Sequence, residues 1–139
     1  MMASFNKYQK GVEALVEGIN AGSDVWKVAL SNRTPVVATD ATLADAVEIS
    51  AANGYTAGGN TASTSSSTQT SGTYKLVLNS PATWTATGGS IGPFQYAILY
   101  DSTTDNLVGY WDYGSPVTLS VGESFSVVLD GTSGVFTVA

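Results

Sequence analysis

Chemistry in this chain has to be done by carboxylates, because the 139 residues include no histidine and no cysteine. That removes the commonest general base, the usual partner of a nucleophilic serine and the usual zinc ligands together. Asp101, Asp105, Asp112 and Asp130 fall late in the sequence, three of them in loop-like stretches. Two carboxylates at a suitable separation would support glycoside hydrolysis, and loop carboxylates would support calcium binding. Neither pattern is met: the spacing is not that of a calcium loop, and no expected strand presents two acids on one face. Aspartate at a hairpin loop accepts backbone N–H bonds and so stabilises the turn itself. The stretch "GESFS" (122–126) lacks the second glycine of a nucleophile elbow and has no histidine to serve it. The residues point to a non-enzymatic protein with no metal and no cofactor.

Binding chemistry is bounded just as firmly. Charged residues make up 12% of the chain, the net charge is −6, and Lys7, Lys10, Lys27, Arg33 and Lys75 are all the basic residues there are. Phosphate backbones are held by clustered Lys and Arg, so nucleic acid is not an expected partner. A surface of Ser, Thr, Gly and Asn suits contact with other proteins, since little charge has to be desolvated. The aromatics concentrate in "GPFQYAILYDSTTDNLVGYWDYG" (92–114), which reads as a hairpin around "DSTTDN" (101–106). Pairing outward from Tyr100–Leu107 gives Ile98–Gly109, Tyr96–Trp111 and Phe94–Tyr113, all on one face. That continuous aromatic and aliphatic stripe reads as core rather than as an open sugar platform. Tyr110 and Asp112, on the mixed opposite face, are the expected external contacts.

The elements that position these residues are mostly strands. "SFNKYQKGVEALVEGINAGS" (4–23) has Phe5, Tyr8, Val12, Leu15, Val16 and Ile19 at helical spacing, capped by Ser4 and ended by Gly18 or Gly22. Its lysines precede its glutamates, the wrong order for the helix dipole, so burial of the apolar stripe must stabilise it. That stripe is expected to pack either on the domain's own sheet edge or on a neighbouring subunit, and Phe5, Tyr8 and Val12 are the residues expected to meet a partner in the assembled state. Short strands follow over 24–31, 73–79, 82–87, 93–100, 107–113, 116–121, 124–130 and 135–139, each bounded by turn residues. The stretch 41–50 stands between a helical turn and a strand, and 61–71 between a polar edge strand and a loop. The expected fold is mainly β, an antiparallel β-sandwich or jelly roll over 24–139 with one N-terminal amphipathic helix over 1–23, together one compact domain. No run is apolar enough for a membrane span or a secretory leader, so synthesis in a cytoplasm and no membrane partner are expected.

The ordered run "VWKVALSNRTP", "EISAANGYTAGG", "QTSGTYKLVL", "WTATGGSIGPFQYAILYDSTTDNLVGYWDYG" and "VTLSVGESFSVVLDGTSGVFTVA" resembles small virion proteins of tailed bacteriophages, most of all capsid cement or decoration proteins. The resemblance runs from about Phe5 to Ala139. It implies a β-sandwich or jelly roll on the capsid surface of a virion, bound to the major capsid protein, as a homo-oligomer (trimer or dimer). It carries no catalytic motif to transfer. The alternative function is a carbohydrate- or receptor-binding module of a phage tail or head fibre.

Overall fold

A computed structural model describes residues 4–139. The chain is mainly β, and every pairing between strands is antiparallel. In order the elements are β1 (Phe5–Lys7), α1 (Gln9–Glu17), β2 (Trp26–Ser31), α2 (Leu43–Ala46), β3 (Asn60–Thr61), β4 (Thr64–Thr70), β5 (Thr73–Leu78), β6 (Trp84–Thr85), β7 (Ile91–Asp101), β8 (Asn106–Leu119), β9 (Ser124–Phe125) and β10 (Phe136–Val138). They form a five-stranded sheet in the order β1-β8-β7-β2-β3, a three-stranded sheet β10-β5-β4 and a two-stranded sheet β6-β9. Trp26, Val28, Phe94 and Leu99 of the large sheet share one apolar cluster with Leu76 and Leu78 of the second sheet and Trp84 of the third. That layering is compatible with the expected sandwich.

The ambiguous stretches resolve by local chemistry. Thr42 and Asp45 form a reciprocal capping box that starts the single turn of α2, and Val47, at φ 55°, ends it. Glu48 then bridges Ser31, so the second half of that stretch is extended. The Thr/Ser-rich segment is strand β4, at the edge of the three-stranded sheet. Expected strands 107–113 and 116–121 are one continuous β8, while 124–130 keeps only two residues of strand.

The hairpin register departs from expectation by one residue. Tyr100 does oppose Leu107, but Leu99 opposes Gly109, so Val108 is an extra residue and β8 is bulged. Beyond it Ile98 faces Tyr110 and Tyr96 faces Asp112; Phe94 faces Val117 after one further irregularity, and another follows between Phe94 and Ile91. A slip of one residue exchanges the faces of a strand. Trp111 therefore lies opposite Ala97 and turns toward the large cluster, while Tyr110 joins Tyr96, Ile98 and Tyr100 on the other face. That other face is also covered. Tyr8, Ala46 and the 33–47 segment close over it into a second cluster with Ala29 and Leu107.

The N-terminus is shorter in helix than its periodicity suggests. Phe5–Lys7 adds an edge strand to β8, with Phe5 opposite Trp111 and Lys7 opposite Gly109. Tyr8 N–H donates to the Val108 carbonyl at 3.0 Å, and α1 then takes over the covering of β8. Tyr8 rather than Ser4 stands at the N-cap, and Gly18 ends the helix. Two glycines permit this approach. A Cβ on Gly11 would lie 2.6 Å from the Leu107 carbonyl oxygen, and one on Gly109 would enter the Phe5 ring. Gly109 thus makes room for Phe5, not for Ile98. Strand and helix together cover the β8 edge, which would otherwise present unpaired backbone groups.

Candidate partner surface

Because α1 lies along an edge, its apolar stripe is only partly enclosed. Leu15 and Ile19 lean onto the large cluster. Val12 and Val16, one turn apart on the same ridge, stay 47% and 84% exposed. Beside this ridge run two depressions that share Leu15, Phe136 and Val138. One, of about 500 Å³, is walled by Ile19, Ala21 and Tyr74, and the other, of about 230 Å³, by Phe5, Val12 and Val108. Phe136 is held at their floor edge-on to Trp26, with ring centroids 6.2 Å apart, and beside Tyr74 at 6.3 Å. The groove therefore runs between α1 and β10, where edge strands of two sheets come close. The two depressions are lined mainly by apolar side chains, with Lys7 the one charged residue in their walls, a composition suited to burial against another protein.

The five residues expected to meet a partner do not form one site. Phe5 and Val12 border the groove, with the Phe5 ring 4.8 Å from that of Trp111. Tyr8 is 0% exposed and has no surface left to offer. Tyr110 lies on the opposite face of the sheet, half-buried between the Tyr8 ring at 5.3 Å and the Tyr96 ring at 6.0 Å. Burial, with the Asp112 carboxylate adding, pushes the Tyr110 hydroxyl above its ordinary range. Asp112 is exposed, and its Oδ1 accepts from Gln95 Nε2 at 3.0 Å and from the Gly114 N–H at 2.8 Å. Phe136 and Val138 were absent from the expected surface. Alternation in "VFTVA" marks them as strand residues, but nothing local ties a C-terminal strand to an N-terminal helix.

Several of the other acids are engaged in turns and loops. Asp130 Oδ1 accepts the Thr132 and Ser133 N–H groups at 2.8 Å each, and those bonds, the Ser133 one first, hold its carboxyl below the usual range. Glu48 accepts from the Tyr55 hydroxyl at 2.7 Å and the Gly58 N–H at 2.8 Å, fixing the loop before β3. Asp40, almost wholly buried, is held by Arg33 Nη1 at 2.7 Å and the Val36 N–H at 2.8 Å. Arg33 and Glu48 border a depression of about 490 Å³ with Asn32, Asn53 and Ser90. Both charged groups there are already bonded within the chain. Among the described residues, no three His, Cys, Asp or Glu side chains gather where they could hold a metal ion. Comparison of the chain with protein-family models, curated proteins and solved structures finds no match in any of the three.

Proposed function

We propose that this chain is a non-enzymatic virion structural protein that binds the outside of a phage capsid and reinforces contacts between major capsid subunits. The exposed Val12–Val16 ridge and the apolar groove beside it carry the reading. A helix face that its own domain leaves uncovered can bury against a neighbour, and a surface with so few charges costs little to desolvate. Cementing then follows from added interface area across subunit seams, multiplied by the copies on a shell. The homo-oligomer expected from the resemblance would raise that multiplicity further.

The test is the double substitution Val12→Asp, Val16→Asp. Both side chains lie outside the clusters, so the fold should keep its stability to within about 0.5 kcal/mol per site. Sedimentation with purified heads of the encoding phage should then show binding at near-stoichiometric copy number for the wild type and its loss for the variant. Undiminished binding of a folded variant would remove the ridge from the interface. Failure of the wild type to bind heads, with retention on a glycan array, would replace cementing by receptor recognition.

A further inference from the structure

Asp101, the last residue of β7, is 0% exposed, which is costly for a carboxylate without a cationic partner. Its Oδ1 accepts the Thr103 N–H at 2.8 Å and the Thr104 N–H at 3.4 Å, while its Oδ2 is buried without a hydrogen-bond partner, the Thr104 hydroxyl lying close to the carboxyl. The linker from α1 to β2 is stitched to this hairpin tip. The Val25 carbonyl accepts from both the N–H and the hydroxyl of Ser102 at 2.8 Å, and the Val25 N–H donates to Thr103 Oγ1 at 2.9 Å. That register, with Trp26 opposite Asp101, brings the half-buried Asp24 carboxyl against Asp101. Asp24 Oδ2 accepts the Asn20 N–H at 2.8 Å, leaving its other oxygen free. No base intervenes. Lys27, the nearest basic residue along the chain, lies on the other side of β2, near Gly58 and the Tyr100 hydroxyl. Asp105 is the remaining charged residue of the hairpin tip.

We propose that Asp24 and Asp101 share a single proton, and that this carboxyl–carboxylate hydrogen bond makes the clamp between linker and hairpin pH-dependent. A proton satisfies two facing oxygens; calcium would need about 6–8, and only one oxygen of each carboxyl is uncommitted. Burial, and then the neighbouring Asp24 carboxyl, push Asp101 above the usual carboxylate range. Since the folded value of Asp101 is raised, its contribution to stability is fully present below the ordinary aspartate pKa of about 3.9. It is lost as pH rises through the raised value. The clamp reaches further than the hairpin. Trp26 Nε1 donates to the Ala21 carbonyl at 2.9 Å, and Asn20–Gly22 form a wall of the apolar groove. Deprotonation should loosen that wall.

The experiment follows Asp101 13Cγ by NMR in the full chain, with thermal melts of wild type, Asp24→Asn and Asp101→Asn from about pH 4 to about pH 8. The wild-type carboxyl should titrate above the ordinary range, and its Tm should fall over that interval relative to both variants. In Asp24→Asn the amide donates to the Asp101 carboxylate without a shared proton, so the pair's share of the pH slope should vanish. At the upper pH limit that variant should melt about 2–4 °C above wild type. Millimolar calcium should move none of the three melts. An Asp101 signal titrating at or below the ordinary value overturns the proposal, as does a wild-type slope kept by both variants. A calcium-dependent rise in wild-type Tm that Asp24→Asn abolishes would overturn it by assigning a cation to the pair.

Discussion

Tyr8→Phe should stabilise this protein, although Tyr8 was expected at an interface. The ring is fully enclosed, packed 5.3 Å from Tyr110 in the second cluster, and its hydroxyl finds no hydrogen-bond partner. Burial first, and the Asp40 carboxylate second, push that hydroxyl far above its ordinary range. Asp40 does not relieve it: its carboxylate accepts from Arg33 and the Val36 N–H, and the Tyr8 hydroxyl makes no hydrogen bond to it. An orphaned buried hydroxyl costs about 1–3 kcal/mol, and phenylalanine keeps the shape while removing it. The expected gain is about 1 kcal/mol, read as a Tm rise of about 3–5 °C for a chain of this size. Tyr8→Ala should instead lose about 3–5 kcal/mol, since the emptied site sits between sheet and covering loop. Urea melts of the two variants beside wild type provide the assay. A Tyr8→Phe protein less stable than wild type would mean the hydroxyl is satisfied, and an unperturbed Tyr8→Ala would return Tyr8 to the surface.

Two further substitutions test the packing of the edge. Gly11→Ala should gain about 1 kcal/mol of helix propensity but lose more to overpacking against β8, so its denaturant midpoint should fall; a rise would show that α1 can lift off the strand. Trp111→Ala should cost about 1.5–3 kcal/mol, less than Phe94→Ala, because Trp111 is only half-buried against Phe5 while Phe94 is enclosed. Equal losses in equilibrium unfolding would contradict the observed register.

Much of this molecule was legible from one-dimensional pattern. Turn residues and β-branched runs marked β2 and β5 to β10, because backbone conformation near a Gly, Pro or Asn is a local matter, whereas β1 and β3 were not marked and β4 stood open between strand and loop. The stop at Gly18, one of the two glycines expected to end the helix, and the service of Asp130 in a turn follow from the same short-range chemistry. A chain without histidine or cysteine had its chemistry narrowed before any fold was known. Periodicity also found the apolar stripe of α1. It could not say which of those side chains would be covered.

Tertiary structure decided the rest, for three physical reasons. Helical spacing extends through Phe5 in the sequence, yet the free β8 edge offers Phe5–Lys7 backbone hydrogen bonds, and pairing with it outweighs a first turn of helix. The bulge at Val108 adds one residue to one strand, which no alternation pattern registers, and so Trp111 and Tyr110 exchange faces. The groove proposed as a partner surface joins Val12 and Leu15 to Phe136 and Val138, residues from opposite ends of the chain. Spacing along the sequence carries no information about which edges meet. Burial of Asp101 is of the same kind: an aspartate before a turn looks solvated until the linker through Val25 is laid over it.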